Sequence, residues 1–131
     1  MKVLVPIDGS ACSYRALEFA AEFVTRYEGT IHVVHITSST AQSTTEILDR
    51  AEEILESKGV MSHPEVVTDL DWTDPRYGAQ IGKDILALVE DRDYDHVVMG
   101  HHGTGAVEQL VIGSAAHTVV RAAEVPATII P

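Results

Sequence analysis

Only one cysteine, Cys12, occurs in 131 residues, which excludes an intrachain disulfide framework and predicts a reducing compartment. No apolar stretch approaches the roughly 18 residues that a membrane-spanning helix needs. Residues 1–6 are too few for the apolar core of a secretion signal. These absences predict a cytoplasmic protein with no membrane partner. Lysine is scarce as well, being confined to Lys2, Lys58 and Lys83, and twenty acids against nine bases give a formal net charge of −11. A surface of that sign repels nucleic-acid phosphate and anionic lipid, and no basic patch offsets it, so nucleic acid is excluded as a partner. The acidic, lysine-poor composition resembles that of halophilic proteins. Aromatic residues make up 5% of the chain, so a core must be built from aliphatic side chains. The length allows one domain, spanning 1–131, and not two.

The acids are unevenly placed. Residues 1–17 and 96–120 contain only Asp8 and Glu108, and the other eighteen acids lie elsewhere. If the two segments meet in space, they form the one surface where a polyanion meets little repulsion.

Residues 2–7 (KVLVPI) read as a short apolar strand, broken by the turn and helix-capping residues Asp8, Gly9 and Ser10. From there the apolar spacing turns helical, with Leu17, Ala20, Ala21 and Val24 on one stripe, and Gly29 marks the end. Residues 30–36 (TIHVVHI) form a second strand. After a Ser/Thr-rich loop, Ile47, Ala51, Ile54 and Leu55 mark a second helix, with Gly59 past its end. A weaker strand over 65–70 leads into an irregular stretch, 72–78, that holds the only tryptophan, Trp72. Ile81, Ile85, Leu88 and Val89 mark a third helix; 96–99 are a strand, 113–123 a helix and 127–130 a last strand. Strands that are apolar without alternation are buried on both faces, as in a parallel sheet covered by helices. Right-handed crossovers leave few topologies, of which the most economical is an α/β, three-layer, Rossmann-like domain with five parallel strands in the order 3-2-1-4-5. In that order the first and fourth strands are neighbours. Ligands of open α/β sheets bind at the carboxyl ends of the strands where the winding reverses, here at Ile7, Asp8, Met99 and Gly100.

Gly100, Gly103 and Gly113, followed by Ser114, form a G-x2-G-x9-G-S pattern that runs from a strand end to a helix start. Gly100 would let a ligand approach the strand end. Gly103 would adopt φ > 0 and turn its N–H inward to make a phosphate-sized concavity. Gly113 and Ser114 would open a helix whose free N–H groups and dipole favour an anion. No lysine or arginine is needed, and none lies between Gly100 and Val120. The pattern is neither a P-loop nor a dinucleotide fingerprint. His101 and His102 lack the spacing of a zinc pair, and no neighbouring Cys or Asp completes a metal site. Ser10 and Ser13 are capping residues without a local histidine to activate them, and no paired carboxylates flank the site. His32 and His35 read as buried, hydrogen-bonded strand residues.

The segments VPIDGS, HVVHI and VVMGHHG…IGSAAHTVV…VPATIIP together resemble the universal stress protein family, in particular its ATP-binding branch, and the likeness covers nearly the whole chain. The resemblance implies a homodimer paired through the last strand, here Ala127–Ile130. It implies that ATP, with Mg²⁺, is the ligand. Asp8, with Pro6 and Ile7 beside it, would face the ribose or adenine. Ile36 would offer backbone groups to the adenine edge, and Met99 and Gly100 would meet the ribose. Gly103, Gly113, Ser114 and Ala115 would hold the phosphates.

The chain departs from the commoner family loop, which reads G-S-H-G-R or G-S-H-G-K, by placing His101 and Thr104 where a hydroxyl and a base stand. The leading expectation is an ATP-binding, dimeric regulatory or stress-response module with little or no catalytic turnover. The alternatives are a nucleotide-free dimeric interaction or stress-protective protein, and a slow ATP hydrolase or adenylating enzyme on the same fold.

Overall fold

Strands buried on both faces need a helical layer on each side, and the chain supplies two helices to each. A computed structural model of the chain describes residues 1–37, 42–67, 77–103 and 112–131; residues 68–70 of the expected third strand, 72–76 and Thr104 lie outside them, and Tyr77 and Gly78, read above as irregular, are helical. The elements are β1 (Lys2–Pro6), α1 (Ala11–Arg26), β2 (Thr30–Ile36), α2 (Gln42–Ser57), β3 (Glu65–Val67), α3 (Tyr77–Arg92), β4 (His96–Gly100), α4 (Ser114–Ala122) and β5 (Ala127–Ile130). They form one five-stranded sheet in the order β3-β2-β1-β4-β5, parallel throughout, as expected.

Alternate residues of each central strand feed the two layers. Val3 and Val5 of β1, Ile31 and Val33 of β2 and Val98 of β4 pack with Ala16, Leu17, Ala20, Ile54 and Leu55 of α1 and α2. Leu4, Val34, Val97 and Met99 point the other way, against Ile85 and Val89 of α3 and Ala116 and Val119 of α4. The core is aliphatic, in keeping with the scarcity of aromatics. Gly82 brings α3 and α4 together, since a Cβ there would lie 2.5 Å from Thr118 Cβ. The amino end of α4 is held beside the end of β4 by the Gly113 N–H, which donates to the His101 carbonyl over 2.7 Å.

The first helix does not end on Gly29 through a left-handed turn. Glu28 takes that conformation, with φ 53°, and Gly29 instead makes room for the Met1 carbonyl, 2.9 Å from where its Cβ would be. Among the described residues, no helix is long and apolar enough to cross a membrane.

Candidate nucleotide site at the carboxyl ends of β1 and β4

The chain leaves β1 through a tightly ordered turn. Ile7 N–H donates to the Val34 carbonyl over 2.8 Å, and the Ile7 carbonyl accepts from His35 Nδ1 over 2.8 Å. His35 is buried and bonded, as expected, whereas His32 is exposed and bonds to the Tyr94 hydroxyl. Asp8 Oδ1 accepts the Ser10 N–H over 2.9 Å, an Asx turn, and Gly9 takes the left-handed φ of 86° that the turn requires. Ser10 Oγ then caps α1 by accepting the Ser13 N–H over 3.2 Å, while Ser13 Oγ donates to the Ser10 carbonyl over 2.8 Å. Both hydroxyls are thus committed to the helix start.

The three patterned glycines sit where a side chain would collide. A Cβ at Gly103 would lie 2.9 Å from Asp8 Oδ2, and one at Gly113 would lie 2.9 Å from His102 Cα and 3.5 Å from Gly103 N. Asp8, Gly103 and Gly113 are therefore immediate neighbours, although they come from two distant parts of the chain. The two acid-poor segments meet as expected.

Two of the expected reasons for these glycines differ from what is observed. Gly103 does not adopt a positive φ; what it supplies is clearance for the Asp8 carboxylate. Gly100 does not hold open space for a ligand, because the volume beside it is filled by α1. A Cβ there would be 2.7 Å from Cys12 Sγ and 3.0 Å from the Ser13 nitrogen. Cys12 is fully buried, and its thiol donates to the His102 carbonyl over 3.0 Å, so α1 clasps the start of the loop.

The loop is fastened on its other sides by backbone bonds. His101 N–H donates to the Ile130 carbonyl of β5 over 2.7 Å, and the His101 carbonyl accepts the Gly113 N–H over 2.7 Å. His102 Nδ1 donates to the Gly103 carbonyl over 2.9 Å. Among the described residues, no group of three or more His, Cys, Asp or Glu side chains could hold a metal ion. Gly113 is the N-cap of α4 and provides no side-chain cap, so the first turn of that helix presents its N–H groups, with exposed Ser114 and half-buried Ala115, toward the same place.

The remaining expected positions are divided between backbone and core. Pro6, Ile7, Ile36 and Met99 are buried at the carboxyl edge of the sheet, with the side chains of Ile36 and Met99 in the α3/α4 layer. They can offer a ligand main-chain groups. Tyr14 was not foreseen. Its hydroxyl lies 3.8 Å from where a Gly9 Cβ would be, and burial, with lesser effects from Asp8 and Glu46, raises its pKa against the opposing pull of Arg50. Its place in the first turn after Asp8 was the only available signal.

The site thus gathers loop and helix-start backbone groups beside one carboxylate. Comparisons with known proteins give the family and fold to which it belongs. The universal stress protein family matches residues 1–131. A universal stress protein of Synechocystis is 30% identical over 127 residues, covering 95% of this chain, which spans only 40% of that longer protein. One from Methanocaldococcus jannaschii is 20% identical, with 98% of this chain and 81% of that protein covered. Among solved structures, a universal stress protein in complex with cAMP superposes with a TM-score of 0.76 at 18% identity, over 98% of this chain and 94% of that one. The Archaeoglobus fulgidus protein in complex with dAMP gives 0.72 at 22% identity, over 100% and 98%.

Proposed function

The chain belongs to the universal stress protein family, and from that premise we propose that it holds ATP, with Mg²⁺, as a dimeric regulatory or stress-response module with little or no turnover. The observation that carries the reading is the convergence of Asp8, Gly103 and the uncapped start of α4 at the β1/β4 crevice. Asp8 Oδ2 is the group for the ribose or adenine, with Pro6, Ile7 and the Ile36 backbone on the adenine side and Met99 and Gly100 on the ribose side. Gly103, Gly113, Ser114 and Ala115 meet the phosphates. Two structurally similar proteins bound to cAMP and dAMP support an adenine nucleotide as the class of ligand.

A triphosphate on a chain of net charge −11 needs its charge offset. Mg²⁺ supplies that by sharing the phosphate oxygens, and it characteristically arrives with the nucleotide. Ser10 and Ser13 spend their hydroxyls on the α1 cap and so offer no free nucleophile for covalent chemistry beside the site. The module would work in the cytoplasm, where a thiol such as Cys12 is kept reduced. Its dimer would form through β5, which among the described residues pairs only with β4, its other edge open.

The nucleotide-free reading has one observation in its favour. The Gly113 N–H, a donor the phosphate site would use, is already bonded to the His101 carbonyl. Thermal unfolding separates the two. Mg-ATP at a hundred times its dissociation constant stabilises a binding protein by about 2.7 kcal/mol, so a clear rise in melting temperature is expected. No shift at millimolar Mg-ATP would favour the nucleotide-free protein.

A further inference from the structure

Neither of the two phenylalanines is fully buried: Phe23 packs against the margin of the α1/α2 core, and Phe19 is exposed. Phe19, Phe23 and Tyr27 lie four residues apart along one stripe of α1, with neighbouring ring centroids 6.2 Å and 4.9 Å apart. Phe19 is 42% exposed and Tyr27 65%. The stripe lies beside the open edge of the sheet. The Phe23 ring is 5.6 Å from His96 of β4, and His96 Nε2 is hydrogen-bonded to Thr128 Oγ1 of β5 over 2.8 Å. At the other end, Arg15 Nε donates to the Pro131 carbonyl over 2.8 Å. On the opposite face, Val120 of α4 is 50% exposed. It lies about 200° round the helix from Thr118, the residue packed on α3, and so points away from α3.

We propose that the Phe19–Phe23–Tyr27 stripe is a self-association surface that meets its own copy on a second chain. The inference rests on the β5 pairing proposed above and extends it. Two edge strands that pair antiparallel in one sheet are related by a two-fold axis normal to that sheet, which keeps α1 and its copy on the same face and brings them together. A stable dimer buries about 800 Å² per partner. The four residues of β5 supply backbone bonds but little of that area, whereas exposed aromatics each carry a large apolar surface and are the usual anchors of interfaces. An anionic lipid surface fits poorly, because Glu18 and Glu22 sit on the exposed side of the same helix and the chain is strongly acidic.

Sedimentation over a concentration series tests this on the full chain, with circular dichroism to confirm folding. Phe19→Glu with Tyr27→Glu changes two exposed positions and is expected to weaken the dimer by about thirtyfold or more. Ala127→Pro tests the strand edge separately. The even-numbered residues of β5 turn their backbone groups toward β4, as the bonds accepted by Pro126 and Ile130 show, so Ala127 faces outward. If the aromatic variant dissociates and the wild type does not, the stripe is part of the interface. If only Ala127→Pro dissociates, the stripe inference is overturned and the strand pairing stands. If only the aromatic variant dissociates, the stripe stands and the strand pairing fails. A wild type monomeric at 100 µM overturns both.

Discussion

The Gly113 N–H donates to the His101 carbonyl over 2.7 Å and closes the two ends of the glycine-patterned loop on each other. A Cβ at 113 would meet His102 Cα at 2.9 Å, so only glycine permits this closure. Gly113→Ala should therefore cost about 1–3 kcal/mol of stability, the range for overpacking a tight contact. Chemical denaturation measures it. The dimer should persist, since β5 is untouched apart from its link to His101.

Gly100→Ala should cost a similar amount, about 1–3 kcal/mol, because α1 already fills the space beside it. Adding Cys12→Ala should restore only part of the loss. The sulfur would be gone, but the Ser13 nitrogen, 3.0 Å from the new Cβ, is backbone and cannot be trimmed. Full recovery in the double variant would show that the thiol alone makes the contact.

Asp8→Asn and Asp8→Ala should part company. Asparagine keeps an oxygen to accept the Ser10 N–H, so stability should change little, whereas alanine loses the turn bond at a cost of about 1 kcal/mol. Both remove the carboxylate beside Gly103, so both should weaken Mg-ATP binding, by about tenfold or more, as expected for a charge-assisted contact. A ligand affinity that follows stability rather than charge would assign Asp8 to the turn alone.

The pH dependence should carry the mark of His96. Burial against β5 and Phe23 holds its pKa below the usual 6.5, so the native state resists the proton that the unfolded chain accepts. Stability is then full above pH 6.5 and declines as pH falls from there through the lowered native value. Glu65 acts lower down. Its pKa is depressed by Arg92, so its contribution is present above pH 4.5 and is lost as pH falls through the native value. Melting temperatures of wild type and His96→Gln across pH 5–8 should converge or cross on the acid side.

The fold was legible because it is written in local apolar periodicity over the whole chain. Parallel strands and right-handed connections narrowed the strand order to a few topologies, and the most economical of them is the one observed. The neighbours in the site, Asp8, Gly103 and Gly113, were also reachable from topology, since β1 and β4 adjoin. What the sequence did not reveal was why each glycine is there. Gly100 answers to Cys12 and Gly103 to Asp8, contacts between distant segments that leave no trace in spacing, and Gly113 answers to His102 through the closure of the loop on itself. Tyr14 was missed for the same reason, since its approach to Gly9 and Arg50 depends on how α2 lies over the turn.

Titration calorimetry of Mg-ATP against the wild type and Gly113→Ala tests the central claim most directly. One nucleotide per chain should bind to the wild type, and Gly113→Ala should weaken it by about tenfold or more while the protein stays folded. Wild-type protein that takes up no nucleotide at millimolar Mg-ATP, or a variant that binds as tightly as the wild type, would contradict a nucleotide held at the Gly103–Gly113 cradle.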